Sequence, residues 1–281
     1  MFVGDKEIFK KVKKVKLSKL LPKYNFPPGF DYAIIDENSK ILNFCSSRYS
    51  LVSNASILKP IEQYFKEKNI EFTRNVKVIN NSKFYVDYII KQRKDVGDVS
   101  GIFPKISIWN SYDGGTIMRN EMGFYRLICS NGLTRPEGEI VKSAFKHSTS
   151  DDSNKYSNQE RIINIIREAK YFIDNCQTDI DKFEELSKVK ITKRKITSIG
   201  EKVGLSKKII SCAEERYDLE VSSGLEYINE YGELVKSPGC NKNLFTLYNA
   251  LNFGIYNTNL KELPEKKIEK DKKLLNHIMN I

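Results

Sequence analysis

Ile106-Ser107-Ile108-Trp109-Asn110-Ser111-Tyr112-Asp113-Gly114-Gly115, continued by Phe124-Tyr125-Arg126-Leu127-Ile128-Cys129-Ser130-Asn131-Gly132-Leu133, carries the plainest strand-and-turn pattern in the chain. Ile106 and Ile108 fall on one face at period two, and Asp-Gly-Gly tolerates the positive backbone dihedrals of a hairpin connection. The pattern predicts a strand, a tight turn and a second strand. Ser130-Asn131-Gly132 offers another turn in which glycine relieves strain, so Asp113, Gly114, Asn131 and Gly132 are the predicted turn residues. The single Trp of the chain lies here with Tyr112, Tyr125, Arg119 and Arg126.

Upstream, Tyr32-Ala33-Ile34-Ile35 and Ile41-Leu42-Asn43-Phe44 read as strands joined by a turn at Asp36-Glu37-Asn38-Ser39. Asn54 is a candidate helix N-cap, Ile57, Leu58, Ile61, Tyr64 and Phe65 recur at helical spacing, and Asn69 stops the helix. A second hairpin follows, Phe72 to Ile79 and Phe84 to Lys91, and a loop over 95–101 leads to the central strands. Residues 30–150 therefore predict an α+β domain, an antiparallel curved sheet with a packed helix. After Ser150 the period changes. Ile162, Ile165, Ile166, Ala169, Phe172 and Ile173 share a helical face, with further helices expected over 180–188, 196–203, 207–217, 244–253 and 261–273. Residues 151–281 form a mostly helical region packed on the first domain, and residues 1–29 a basic N-terminal arm.

The paired signature, Tyr112-Asp113-Gly114 followed by Tyr125-Arg126-Leu127-Ile128-Cys129-Ser130-Asn131-Gly132-Leu133, resembles the core of a phage/plasmid-like family known mainly as a domain of unknown function. Arg48-Tyr49-Ser50-Leu51-Val52-Ser53-Asn54, Lys146-His147-Ser148 and Asn243-Leu244-Phe245-Thr246-Leu247-Tyr248-Asn249-Ala250 lie in the order that family shows. The resemblance runs from Asp31 to Tyr256 and implies context, not chemistry. The element order is also similar to Rad-type single-strand annealing proteins, at the level of fold pattern alone.

Charge is the main compositional signal. The 281 residues carry a net +11, and residues 1–150 hold 25 Lys+Arg against 15 Asp+Glu while residues 151–281 hold 22 against 21. A positive field confined to one half is the footprint of a polyanion binder. Codon bias explains an excess of lysine over arginine but not a neutral second half. Five scattered cysteines, with no Cys-x-x-Cys pair and only His147 and His277 as histidines, give no zinc spacing and no disulfide framework. Buried reduced thiols are the expectation. No apolar run approaches the roughly 18 residues that span a bilayer, so a cytoplasmic protein without a membrane partner is expected.

Candidate binding residues interleave cations with aromatics: Arg48, Tyr49, Arg74, Lys77, Lys83, Arg93, Arg119, Arg126 and His147, joined by Lys10, Lys11, Lys13, Lys14 and Lys16 of the basic arm. Single-strand binders combine such a cationic groove with exposed rings on which bases stack. Alternatively, the rings fill the core and the cations are its solvated face. The arm reads equally as a basic helix packing on its own domain.

Residues 196–210 outline a helix-turn-helix, Lys207 and Lys208 opening its second helix, or a helical hairpin within a bundle. Gly-x-Ser-x-Gly, Walker A and Rossmann glycines are missing. Asp113, Glu121 and His147 could serve a metal-dependent nuclease, but turn formation is the simpler role for Asp113.

The expectation is a nucleic-acid-binding protein of a phage or plasmid, favouring single-stranded DNA in recombination or replication, oligomeric, without catalysis, cofactor or metal. The alternative is a virion-associated or host-takeover interaction protein.

Overall fold

The computed structural model describes residues 5–79, 82–92, 94–96, 100–126, 131–134, 147, 158–223, 225–228, 233–237, 239–259, 261–262 and 264–281. In chain order the elements are α1 (Asp5–Ile8), β1 (Val12–Lys16), α2 (Leu17–Leu20), β2 (Tyr32–Asp36), β3 (Ile41–Cys45), α3 (Asn54–Glu67), β4 (Phe72–Ile79), β5 (Lys83–Ile90), β6 (Lys94–Val96), β7 (Ser100–Ser111), β8 (Arg119–Arg126) and β9 (Asn131–Thr134). These are followed by α4 (Asn158–Asn175), α5 (Gln177–Lys188), α6 (Arg194–Lys202), α7 (Lys207–Val221), β10 (Glu226–Ile228), β11 (Leu234–Lys236), α8 (Leu244–Asn257) and α9 (Pro264–Ile278). The fold is α+β, with antiparallel strand pairs and its helices concentrated in the second half of the chain.

Two units interleave along the sequence. One comprises residues 1–89, 106–121 and 141–174, the other residues 90–105, 122–140 and 175–281. The main sheet has the order β4-β5-β7-β8-β9, with β6 on β7, and β7 and β8 each contribute residues to both units.

In the first unit, β1, β2 and β3 form their own antiparallel sheet. Residues 12–16, expected in an arm or a basic helix, are a strand, paired from Val12↔Asp36 to Lys16↔Tyr32. Val12-Lys13-Lys14-Val15-Lys16 lacks a helical stripe, and a partner strand supplies the hydrogen bonds that an isolated arm would lack. Alternation then sorts β2. Ile34 packs with Cys45, Phe84 and Tyr112, while Ala33 and Ile35 pack with Leu17 on the other side.

Helix α3 buries Ile57, Leu58, Ile61, Tyr64 and Phe65, each large aliphatic worth roughly 1.5–3 kcal/mol. Its N-cap is Ser53, whose Oγ accepts from the Ser56 N–H at 3.2 Å, in place of the expected Asn54. Asn54 turns inward instead. Its Nδ2 donates to the Ile8 carbonyl (3.2 Å), its Oδ1 accepts from Asn110 Nδ2 (2.8 Å), and its own N–H donates to the Tyr112 hydroxyl (3.1 Å). A short polar side chain can cap or bridge, and only the buried Asn110 opposite decides which.

The second unit is built around α8, on which Leu244 to Asn252 are all buried. Phe183 of α5 meets Phe124 edge-on at 5.6 Å and Phe245 at 5.5 Å. Gly254 lets α8 approach α7, since a Cβ there would come 2.6 Å from the Ile209 carbonyl oxygen. Asn131 and Gly132 do not form the expected turn. They open β9, with Arg126↔Asn131 and Tyr125↔Gly132 in register, and an aromatic opposite a strand glycine is a recognised compensation.

A candidate nucleic-acid interface

A cleft of about 680 Å³ in the first unit is lined by Gly29, Phe30, Asn43, Phe44, Cys45, Ser46, Arg48, Tyr49, Asp113, Gly114 and His147. Volumes of roughly 300–1,000 Å³ are typical of small-ligand pockets. The edge strand β3 supplies one side of the cleft and the loop after it Arg48 and Tyr49, while the turn after β7 supplies Asp113 and Gly114.

That turn forms for local reasons. Gly114 has φ +69°, and Asp113 Oδ1 accepts from the Gly115 N–H at 2.8 Å, an Asx-type closure. Asp113 Oδ2 also accepts from Ser82 Oγ at 2.7 Å, which fixes the carboxylate. Lys83 lies against Gly115, where an added Cβ would meet its Nζ at 2.8 Å.

Tyr49 stacks on His147, ring centroids 5.3 Å apart and planes 18° apart, and its hydroxyl donates to the Ser111 carbonyl at 3.1 Å. Burial and the nearby Asp113 charge hold the Tyr49 phenol well above its ordinary range. Nδ1 of His147 faces the Ser50 carbonyl at 3.3 Å and so carries its proton there, and burial pushes the imidazole below its ordinary value. Burial raises the Cys45 thiol, with Lys14 pulling the other way, which leaves it protonated at neutral pH and a poor nucleophile. Among the described residues, no three His, Cys, Asp or Glu gather closely enough to hold a metal ion.

The predicted cations divide sharply. Arg48 is exposed at the cleft, and Lys11, Lys13, Lys16 and Lys77 are exposed elsewhere on the first unit. Lys10 pairs with Glu7 at 3.3 Å, and Arg74 is bonded to Glu62 and stacked over Phe9. Arg119 is buried against Trp109, 3.4 Å from its ring centroid, and bridges to Glu121 at 3.2 Å. Arg126 is wholly buried in the second unit, bonded to Glu220 at 2.8 Å, while Arg216 holds the other oxygen of Glu220 at 2.9 Å. Neither Arg119 nor Arg126 can reach a surface phosphate. Arg93 lies outside the described residues, as do Lys146 and Ser148 beside His147.

Lys14 has another task. Its ammonium donates to the carbonyls of Ser47 (2.8 Å) and Tyr49 (2.6 Å), the two residues that flank Arg48, and sits 4.6 Å from the Tyr32 ring centroid. A lysine expected to meet phosphate thus anchors the loop that presents an arginine.

Tyr49, the aromatic among the candidate binding residues, is half-buried. Tyr112 is buried and Tyr125 half-buried, whereas Tyr24, Phe30 and Phe44 are 68%, 48% and 44% exposed. Phe30 and Phe44 line the cleft beside Arg48. Phe30 carried a signal, since it follows the turn-forming Pro27-Pro28-Gly29 and belongs to no periodic stripe. Phe44 carried none.

Over 196–210, α6 and α7 are joined by a short turn, the outline shared by a helix-turn-helix and a helical hairpin. Gly204 has φ +76°, Ser206 caps α7, and Ile209, Ile210, Ala213 and Tyr217 are buried. Lys207 and Lys208 are exposed, as are Glu215 and Asp218 further along the same helix, Asp218 paired with Lys193 at 2.5 Å. Among the described residues no helix is long and apolar enough to cross a membrane.

Fold and cleft define an α+β protein whose first unit gathers aromatic, cationic and carboxylate groups around one cleft. The chain belongs to the family described as Domain of unknown function (DUF932), whose profile matches residues 41–252, from β3 to α8. That span includes Phe44, Arg48, Tyr49, Asp113 and His147. No curated protein and no solved structure matches the chain.

Proposed function

We propose that this protein binds single-stranded nucleic acid, DNA by preference, through the cleft of its first unit, and performs no chemistry on it. The observation that carries the reading is the exposure of Phe30 and Phe44 beside Arg48 on one cleft. Rings accessible to water are stacking platforms worth roughly 1–3 kcal/mol per base, and a neighbouring guanidinium holds the phosphate between bases. The net charge of +11, concentrated in residues 1–150, supplies the long-range attraction. In this reading the protein works in the cytoplasm of a bacterial host, in replication or recombination of a phage or plasmid, as an oligomer that lays several such clefts along one strand.

Fluorescence anisotropy with labelled single-stranded and duplex oligonucleotides over a salt series tests it. Tighter binding to single strands is expected, with a log–log salt slope of about −0.7 per phosphate contacted. Absence of binding at low salt would sink the reading and assign the exposed rings to a protein partner.

A further inference from the structure

Asp113 is out of place in a cleft that only tracks a backbone. A carboxylate repels phosphate, yet this one lines the cleft with Phe30, Phe44 and Arg48 and is held there by bonds from Ser82 Oγ at 2.7 Å and the Gly115 N–H at 2.8 Å. Each carboxylate oxygen has a second lone pair. Resting on the single-strand reading above, we propose that the cleft is a nucleobase pocket that selects guanine, with Asp113 reading the base edge.

The chemistry of the four bases ranks them. An ionised carboxylate can only accept, so it favours an edge with adjacent donors. Guanine presents N1–H and the N2 amino group side by side, a bidentate match. Cytosine and adenine offer one amino donor beside an acceptor, and thymine one N–H between two carbonyls. Single strands expose these Watson–Crick edges, and proteins read them by hydrogen bonds while the ring stacks on aromatic side chains. Phe44 and the Tyr49–His147 stack supply aromatic walls, and Asn43, whose Nδ2 donates to the Tyr112 carbonyl at 3.2 Å, lines the same cleft. Arg48 at the cleft takes the adjoining phosphate.

The test uses the full chain and four labelled strands, oligo-dT and oligo-dT carrying one central dG, dC or dA, compared by anisotropy at fixed salt. The dG strand is expected to bind about tenfold tighter than oligo-dT, the scale of one good bidentate contact. Asp113→Asn should abolish that preference, so that the dG strand binds no tighter than oligo-dT to the same variant. Competition on the wild-type chain needs no folded variant: guanosine monophosphate should displace the dG strand at lower concentration than thymidine monophosphate. Salt-sensitive binding with equal affinity for all four strands, or equal competition by the two nucleotides, overturns the guanine pocket and leaves the single-strand reading standing. No binding to any strand overturns both.

Discussion

His147 and Tyr112 show how single residues couple this cleft to the stability of its unit. Burial holds His147 below its ordinary value of 6.5, against the opposing pull of the Ser50 carbonyl and the Asp113 charge. The folded chain therefore prefers the neutral imidazole, and as pH falls through 6.5 the unfolded chain takes up the proton first. Stability contributed by this group is complete above pH 6.5 and declines below it, by at most about 1.4 kcal/mol per pH unit. Urea unfolding at pH 8, 7, 6 and 5.5 should show a steeper loss in the wild type than in His147→Gln. Parallel curves would show that the imidazole protonates without strain. Tyr112 acts through one bond. Its hydroxyl, pushed up to about 12 by burial, accepts the Asn54 N–H at 3.1 Å. Tyr112→Phe leaves that buried donor without its acceptor and should cost about 1–3 kcal/mol in the same unfolding assay.

Among elements, the α7–α8 pair gives a prediction whose sign is diagnostic. Alanine for glycine in a helix interior ordinarily stabilises by about 1 kcal/mol. At Gly254 the new Cβ would sit 2.6 Å from the Ile209 carbonyl oxygen, and backbone cannot swing aside as a side chain can. Gly254→Ala should therefore destabilise, by about 1–3 kcal/mol, seen as a lower thermal midpoint, and a raised midpoint would mean the helices separate freely. The sequence made α8 legible through its apolar run but could not show that Gly254 faces α7, because a glycine has no side chain to place on a stripe. Strand β1 was hidden for a similar reason. Val12-Lys13-Lys14-Val15-Lys16 has the charge of an arm, and only its pairing with β2 and the task of Lys14 at the Ser47 and Tyr49 carbonyls make it structure. The Asp113-Gly114 turn was legible because it is closed within three residues, whereas the cleft draws on segments more than a hundred residues apart, from Gly29 to His147.

Across the whole molecule, charge has two uses that the sequence cannot separate, and two arginines distinguish them. Arg48 and Arg126 both sit beside aromatics in the basic half, yet one is exposed at a cleft and the other is sealed against Glu220 and near Cys240. Removing an exposed cation changes chiefly the ionic term of binding, while removing a buried partner leaves a carboxylate and cavity behind. Arg48→Ala should lower the magnitude of the single-strand salt slope by about 0.7, the share of one phosphate, with the thermal midpoint moved far less than by Arg126→Ala. Arg126→Ala should lose about 3–5 kcal/mol of stability, moderated by Arg216, which still holds Glu220 at 2.9 Å. At temperatures where it remains folded, its salt slope should equal that of the wild type. A slope that falls for Arg126→Ala but not for Arg48→Ala would place the phosphate path away from the cleft, because a buried guanidinium can alter counterion release only by reshaping a surface elsewhere.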